Sequence, residues 1–355
     1  MRYLSCVKTL IALCPIIMTL ATASAAQDAT PIEVRLVVVT AFEIGEDTGD
    51  KPGEFQSWAE ELPETLPFPA GFRHLRYDPK RKVLAISTGT GTNRAATSTL
   101  ALGLDPRFDL THAYWLVAAI AGVNPDEASI GSAAWIGDVV DSDRARIIDP
   151  REIPAGWQIG YIPGGRSAPY QLPLPADTST VLFPLNKALR DWAFALTRTT
   201  ALPDSEALRH IRAPYVGYPN AQKPPFVLTG EEVSGQGYWQ GKLLNEHYER
   251  WTDYWTSGKG RFVMTAMEDS GVINAIQRLE QVGRADPHRI LVLRTGSDYS
   301  MQYPGEDALT SLLTPDPAGL RAALDAAHTV GSQVVNEITA HWDLYRNAIP
   351  GGVQD

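Results

Sequence analysis

Apolar and polar positions along the chain predict strands that alternate with helices. Near-continuous apolar runs are typical of strands buried on both faces. They occupy residues 34–40, 82–87, 114–120, 132–140 and 289–294, with shorter runs at 226–229 and 262–265. Amphipathic spacing predicts helices over 93–103, 183–200, 238–256, 271–282 and 317–347. This order of elements predicts an α/β layered fold with a largely parallel sheet.

Two glycine-containing stretches interrupt the pattern. Residues 45–71 are rich in Gly, Pro and acidic residues, which predicts an irregular segment between the first two strands. Gly331 lies inside the last predicted helix, where a glycine weakens helical propensity, and we expect the helix to bend or loosen there. No linker rich in Pro, Gly or Ser divides the chain into halves, so residues 27–355 are predicted to form a single domain.

The N-terminus predicts a secretory signal peptide at residues 1–26. Two cations precede an apolar run over 9–20, and small residues with an Ala-x-Ala site follow it. The alternative is an anchor helix, but the run is shorter than the ~20 residues that span a bilayer, and Pro15 interrupts it. We therefore expect an exported protein, periplasmic in a Gram-negative source, with no membrane span in the mature chain.

Charge and cysteine content narrow the functional classes. The chain has 31 Lys and Arg against 41 Asp and Glu, a formal charge of −10. A negative surface disfavours binding to nucleic acid or to anionic membrane, so a small or neutral ligand is expected. Both cysteines, Cys6 and Cys14, lie in the predicted leader, so the mature chain has no thiol nucleophile and no disulfide.

The common catalytic templates are absent from the sequence. There is no His-Glu-x-x-His and no close pair of histidines or cysteines, and we predict no metal site. There is likewise no Gly-x-Ser-x-Gly or Gly-Lys-Ser/Thr. Gly89-Thr-Gly91 lacks the third glycine of a dinucleotide fingerprint. The backbone amide groups of this loop can bind an anion or a hydroxyl of a ligand. The alternative is that the tight loop serves only to pack the strand against the following helix.

Two acidic residues follow predicted strands. In parallel α/β sheets the ligand lies outside the carboxyl ends of the strands. Glu268 follows the strand near 262–267, and Asp298 follows the strand near 289–294. At such positions a carboxyl group can be partly buried and its pKa tuned for proton transfer. The alternative is a helix N-cap or first-turn acid, which Asp269 fits better than Glu268.

Five segments, in order, resemble the nucleoside phosphorylase/nucleosidase superfamily. The last two resemble its Glu-Met-Glu and Ser-Asp signatures. The segments are 37–43, 87–96, 119–125, 131–140, and 266–271 together with 294–298. The Phe-Glu start, the leader, the Gly-Tyr-Trp-Gln-Gly stretch at 237–241 and the overall length make the chain most similar to the purine nucleoside permease family. The resemblance runs from about residue 34 to 347.

The resemblance implies a three-layer α/β/α sandwich around a mixed, partly barrel-like sheet, and cleavage of the N-glycosidic bond of a purine nucleoside. Glu268 matches the acid that binds the ribose hydroxyls, and Met267 matches the residue against the sugar face. Asp298 matches the general acid at purine N7, with Ser297 orienting it. A general acid at N7 suits cleavage of the N-glycosidic bond, because the purine leaves only when its developing negative charge is neutralised.

The aromatic pair in the 237–241 stretch has two interpretations. Tyr238 or Trp239 lies in a loop at the mouth of the sheet, where either ring can stack on the base. The alternative is an aromatic residue that anchors the following helix.

The phosphate-binding signature is incomplete. Phosphorylases of this superfamily carry Arg and Ser shortly before the glycine that matches Gly122, and Val117 and Ile120 stand at those positions. Neither side chain binds phosphate. Arg94, after the glycine loop, is the substitute expected if inorganic phosphate is a co-substrate, and otherwise a solvated surface residue.

The hydrolytic signature is incomplete as well. The position of the water-activating glutamate is Gly45, which leaves Glu43 and Glu46 as substitutes, and Glu43 is the predicted catalytic one. Phosphorolysis, hydrolysis and non-catalytic nucleoside binding for uptake therefore stay open, with no cofactor expected. The resemblance also implies that a homo-oligomer is possible, although the 45–71 segment would alter such an interface.

Overall fold

The computed structural model describes residues 30–353, so the predicted signal peptide at 1–26 lies outside the described residues. The strands are β1 (Ile32–Glu33), β2 (Leu36–Thr40), β3 (Glu64–Leu66), β4 (Leu75–Asp78), β5 (Val83–Ser87), β6 (Phe108–Asp109), β7 (Tyr114–Val123), β8 (Ala133–Asp141), β9 (Arg146–Ile147), β10 (Tyr161–Ile162), β11 (Leu182–Pro184), β12 (Val227–Ser234), β13 (Phe262–Ala266) and β14 (Ile290–Tyr299). The helices are α1 (Gln56–Ala59), α2 (Thr92–Leu104), α3 (Lys187–Thr197), α4 (Glu206–Arg212), α5 (Lys242–Trp255), α6 (Asp269–Glu280), α7 (Ala308–Leu313), α8 (Pro317–Ala340) and α9 (Trp342–Tyr345), with a 3-10 turn at Pro287–Arg289.

The central sheet is mixed and closes on itself. Strand β7 pairs in parallel with β2 and β14, and β12 pairs in parallel with β8 and β13. Antiparallel pairs β14–β8 and β13–β7 join these two groups into a ring. Strands β5, β4 and β3 extend the sheet beyond β2. The largely parallel sheet predicted from the strand pattern is therefore wrong in part, whereas the mixed, partly barrel-like sheet implied by the resemblance is confirmed.

Helices cover both faces of this sheet and produce three layers. Successive side chains of a strand point to opposite faces, so Val37 and Val39 of β2 pack with α2 and α6, whereas Leu36 and Val38 pack with α1, α3 and α8. Burial on both faces explains the continuous apolar runs in the sequence. The predicted three-layer α/β/α arrangement is confirmed.

The structure differs from the sequence prediction in several elements, and the helix predicted over 317–347 is two helices, α8 and α9, separated at His341. The predicted 45–71 excursion contains α1 and β3, and the start of the predicted 183–200 helix is strand β11. Helix α3 begins later because the Asn186 side chain accepts hydrogen bonds from the amides of Ala188 and Leu189. Helix α8 runs through Gly331 without interruption. A Cβ there would lie 3.0 Å from the ring of Trp58, so this glycine permits close packing.

Candidate functional site

A cavity of about 120 Å³ lies where the carboxyl ends of the strands meet. Most of the residues that the sequence predicted for the site line it together. These are Gly122, Tyr238, Met267, Glu268, Ser297 and Asp298. They come from β7, β14, the end of β13 and the loop after β12, so the closure of the sheet brings them together. The topological rule that picked out strand ends thus located the cavity.

Glu268 is held by two donors in the wall of the cavity. It occupies the N-cap position of α6, but its side chain makes no capping hydrogen bond. Instead, Oε1 accepts from the amide of Gly91 at 2.9 Å, and Oε2 accepts from Arg294 Nη2 at 3.0 Å. The N-cap alternative therefore does not describe this side chain, which is fixed in the cavity by polar contacts at both oxygens.

The glycine loop donates a backbone hydrogen bond to the carboxylate of Glu268. Gly91 has a φ of +93°, a conformation that glycine adopts without strain, and a Cβ there would lie 2.4 Å from Nε2 of the Gln236 side chain. Its amide is occupied by Glu268 and does not point to a free anion site. Gly89 does not line the cavity and lies against the side chains of Arg94 and Phe72. The loop was predicted to bind the ligand itself. In the structure it contributes to the cavity through the Gly91 amide, which holds Glu268 in place.

Asp298 accepts a hydrogen bond at each carboxylate oxygen. Ser297 Oγ donates to Oδ1 at 2.8 Å, and the hydroxyl of Tyr238 donates to Oδ2 at 2.5 Å. Loss of hydration in the cavity raises the pKa of Asp298 above its usual range, and the two donors act in the opposite direction. The group is thereby suited to proton exchange with a ligand.

The two aromatic residues of the 237–241 stretch have different surroundings. Tyr238 lines the cavity and is still 53% exposed. Trp239 packs against Tyr248 and Phe262, with ring centroids 4.5 and 6.2 Å away, and does not line the cavity. For Trp239 the anchoring alternative therefore describes the structure, because its ring is used in the hydrophobic cluster beneath α5.

Glu43, the predicted catalytic glutamate, lies outside the cavity lining. Its carboxylate accepts hydrogen bonds from the amides of Ile44, Gly53 and Gln56, which hold the 43–56 segment. Glu43 holds this loop, and it does not line the cavity that contains Glu268 and Asp298. The prediction of Glu43 as the catalytic residue is therefore not supported by the geometry.

Glu54, which sequence reasoning missed, lines the cavity instead. It is 5% exposed, and its two oxygens accept from the amides of Ala41 at 2.6 Å and Ile120 at 2.7 Å. Burial raises the pKa of Glu54 to about 8, with a further contribution from the negative charge of Glu268. The sequence carried no signal for it, since it is one of several acids in the irregular 45–71 segment.

Arg294 is a second residue of the cavity lining that sequence reasoning did not select. It is 1% exposed and contacts Glu268, Asp269 and, at 3.7 Å, Glu232. Burial and the neighbouring Asp269 raise the pKa of Glu232. Buried charges need partners, so an arginine at the end of the apolar 289–294 strand was a usable signal for a polar cluster.

Arg94, the predicted phosphate ligand, is exposed and does not line the cavity. Its guanidinium lies 5.7 Å from the centroid of the Phe72 ring. The surface alternative therefore describes Arg94.

Within residues 30–353, no helix is long and apolar enough to cross a bilayer.

Solved structures with a similar fold include nucleosidases. The 5′-methylthioadenosine/S-adenosylhomocysteine nucleosidase of Neisseria meningitidis, in complex with methylthio-immucillin-A, matches with a TM-score of 0.51 and 16% identity. The match covers 86% of this chain and 99% of that chain. The corresponding enzyme of Colwellia psychrerythraea, in complex with adenine, also matches at 0.51 and 16%, over 91% and 98%. At this identity the likeness establishes the nucleoside phosphorylase-like fold alone.

Sequence relatives identify the family. A protein of Schizosaccharomyces pombe named "Probable purine nucleoside permease" is 30% identical over 273 residues, 75% of this chain and 78% of that protein. The "Purine nucleoside permease" of Candida albicans is 30% identical over 271 residues, 75% of this chain and 66% of its own length. The family described as "Purine nucleoside permease (NUP)" matches residues 33–350. The chain therefore belongs to the purine nucleoside permease family.

Proposed function

We propose that this protein hydrolyses the N-glycosidic bond of purine nucleosides. The observation that carries the proposal is that two buried or enclosed carboxyl groups with raised pKa, Glu54 and Asp298, line one cavity together with Glu268. Cleavage of this bond needs a proton donor for the purine and a base for the attacking water. Groups whose environments raise their pKa toward the working pH are suited to both tasks.

Each group has a distinct task in the reaction. Asp298 donates a proton to purine N7, so that the base leaves neutral. Positive charge develops on the sugar as the C1′–N9 bond lengthens, and the Glu268 carboxylate in the cavity wall stabilises it. Glu54 accepts a proton from the water that attacks C1′. A base acts in its ionised form, so with a pKa of about 8 Glu54 becomes fully active as pH rises through that value and returns the proton to solvent above it.

The charge of the cavity favours water over phosphate as the nucleophile. Among the lining residues that the structure describes, Arg294 is the sole Lys or Arg. Its guanidinium is already engaged by Glu268 and Asp269, and Nη1 donates to the carbonyl oxygen of Ile120 at 2.8 Å. A phosphate dianion here would face carboxylates with no unengaged cation among these residues, a costly arrangement.

The second candidate is nucleoside binding for uptake without turnover. The names of the relatives, purine nucleoside permeases, favour it. The two donors on Asp298 also stabilise its charged form, in which it accepts a hydrogen bond but has no proton to give. In this case the nucleoside binds and is recovered intact.

The test is base release from inosine, adenosine and guanosine by the purified protein, with and without phosphate. Hydrolysis predicts release at the same rate in both buffers. Glu54→Gln is expected to lower kcat by about 100-fold, the scale of general base catalysis, while nucleoside affinity is kept. Glu46→Gln, an exposed acid in the same segment, is the matched control and should retain the wild-type rate. Intact recovery of every nucleoside would support the uptake candidate instead.

Export is part of the proposal. The charged start, short apolar run and Ala-x-Ala site at residues 1–26 support cleavage of a leader before folding. N-terminal sequencing of the protein from a periplasmic fraction should give a start near residue 27. Recovery of the uncleaved chain from the cytoplasm would contradict export.

A further inference from the structure

The cavity that holds the acids is too small for a whole nucleoside. Ligand pockets measure about 300–1,000 Å³, whereas this one measures about 120 Å³. A second cavity of about 290 Å³ adjoins it, and both are lined by Ser297 and Asp298. A ligand that extends past Asp298 therefore gains the volume that the first cavity lacks.

One side of the second cavity is aromatic and held in place. Tyr215 and Tyr299 pack with their rings tilted by 39° and their centroids 3.9 Å apart, and Tyr303 meets Tyr215 edge-on at 5.9 Å. The hydroxyls of the first two are occupied, since Tyr215 donates to the carbonyl of Met301 and Tyr299 to that of Ala221. Tyr303 is half-buried at the cavity, which suits it to contact with a planar ring.

The polar side of this cavity offers an acceptor. Asp316 is committed to the N-terminus of α8, where its Oδ1 accepts from the amide of Ala318 at 2.8 Å. Within residues 30–353, the side chain of Glu306 makes no hydrogen bond or ion pair. An ionised carboxylate only accepts hydrogen bonds. It therefore fits the N–H groups at the edge of an amino-substituted purine.

We propose that the second cavity is the subsite for the purine base, with Tyr303 against the ring and Glu306 at its amino-bearing edge. This inference rests on the proposed function in that the ligand is a purine nucleoside. The sugar then lies beside Glu268 and Met267, and Asp298, which lines both cavities, faces N7 of the purine. The subsite is built by the α4 region and the 299–316 segment, neither of which the sequence motifs singled out.

Binding of free adenine and free D-ribose tests the subsite without any turnover. The full-length protein and two variants are compared by calorimetry for adenine and by saturation-transfer NMR for ribose. Tyr303→Ala should weaken adenine binding by about 10-fold, the scale of a lost base–aromatic stack, and leave ribose binding unchanged. Tyr218→Ala is the matched control, since Tyr218 also packs edge-on to Tyr215 but does not line this cavity. It should leave both ligands unaffected.

Glu306→Ala tests the polar edge. It should weaken adenine by about 10-fold and unsubstituted purine by less than about 2-fold. Adenine affinity that is equal in wild type, Tyr303→Ala and Glu306→Ala would overturn the subsite, even if nucleosides are hydrolysed. Adenine affinity that depends on Tyr303 would uphold the subsite even if no nucleoside is cleaved, and the proposed hydrolysis alone would then fail.

Discussion

The hydroxyl of Tyr238 donates a hydrogen bond of 2.5 Å to Oδ2 of Asp298. This contact joins a loop between β12 and α5 to the residue that we propose protonates the purine. Ser297 holds the other oxygen, so the carboxylate is fixed from both sides. The two donors favour the charged form of Asp298 while burial favours the neutral form, and their balance sets the pH at which the acid works.

Tyr238→Phe should move the limb of the pH–activity profile that reports Asp298 to higher pH. Removal of the donor raises the pKa of Asp298 further, because the charged form loses a hydrogen bond. A general acid is active when protonated, so activity falls as pH rises through its pKa. The measurement is kcat/KM against pH for adenosine. Tyr254→Phe, which removes a hydroxyl that donates to the carbonyl of Gln171, is the control and should not shift the profile. An unchanged limb in Tyr238→Phe would contradict this role.

Glu268→Gln should reduce the preference for ribose hydroxyls. A hydrogen bond to a charged group contributes roughly 1.5–3 kcal/mol, so kcat/KM for adenosine should fall by about 10- to 100-fold. For 2′,3′-dideoxyadenosine, which lacks both hydroxyls, the loss should be under about 3-fold. Steady-state kinetics on the two substrates measures the difference. Equal losses on both would mean that Glu268 acts on the fold and not on the sugar.

Gly91→Ala should weaken nucleoside binding through Glu268. The new Cβ meets Gln236 and requires a backbone conformation that costs roughly 1–3 kcal/mol, which displaces the amide that holds the Glu268 carboxylate. Gly156→Ala is the control, because Gly156 also has a positive φ but has open space around its Cβ position. Thermal unfolding should show both variants destabilised. Calorimetry with adenosine should show a loss of at least about 10-fold in Gly91→Ala alone, and a similar loss in both variants would contradict the role of the Gly91–Glu268 contact.

The buried Glu54 should make the protein less stable as pH rises. Its folded pKa of about 8 lies above the value of 4.5 for an exposed glutamate, so between these values the folded state binds more protons than the unfolded state. The free energy of unfolding then falls with increasing pH over this window, and the fall is complete above about pH 8. Denaturant titrations from pH 5 to 9 should give a flatter dependence for Glu54→Gln. Identical slopes in Glu54→Gln and wild type would contradict the raised pKa.

The sequence predicted the strands and most of the cavity residues because both follow local rules. Strands buried on both faces are continuous apolar runs, and ligand sites lie at their carboxyl ends, which located Glu268 and Asp298. The prediction of a bend at Gly331 was wrong because it also used a local rule. Local propensity predicts a bend, whereas the long-range contact with Trp58 decides that the helix continues.

The residues that sequence reasoning missed depend on long-range contacts. Glu54 enters the cavity because the 43–56 segment folds back onto the ends of β2 and β7, where the amides of Ala41 and Ile120 bind it. Nothing distinguishes Glu54 from Glu43 or Glu46 until that loop is placed. The pairing of strands in the ring likewise combines parallel and antiparallel neighbours, which residue patterns along single strands do not encode.

The most direct test of hydrolysis is the fate of oxygen from water. Adenosine is incubated with the purified protein in H₂¹⁸O, with and without inorganic phosphate, and the products are resolved by mass spectrometry. Our account predicts adenine and free ribose that carries one ¹⁸O at C1, formed equally in both buffers and about 100-fold more slowly by Glu54→Gln. Ribose 1-phosphate that forms only with phosphate, or adenosine recovered intact, would contradict it.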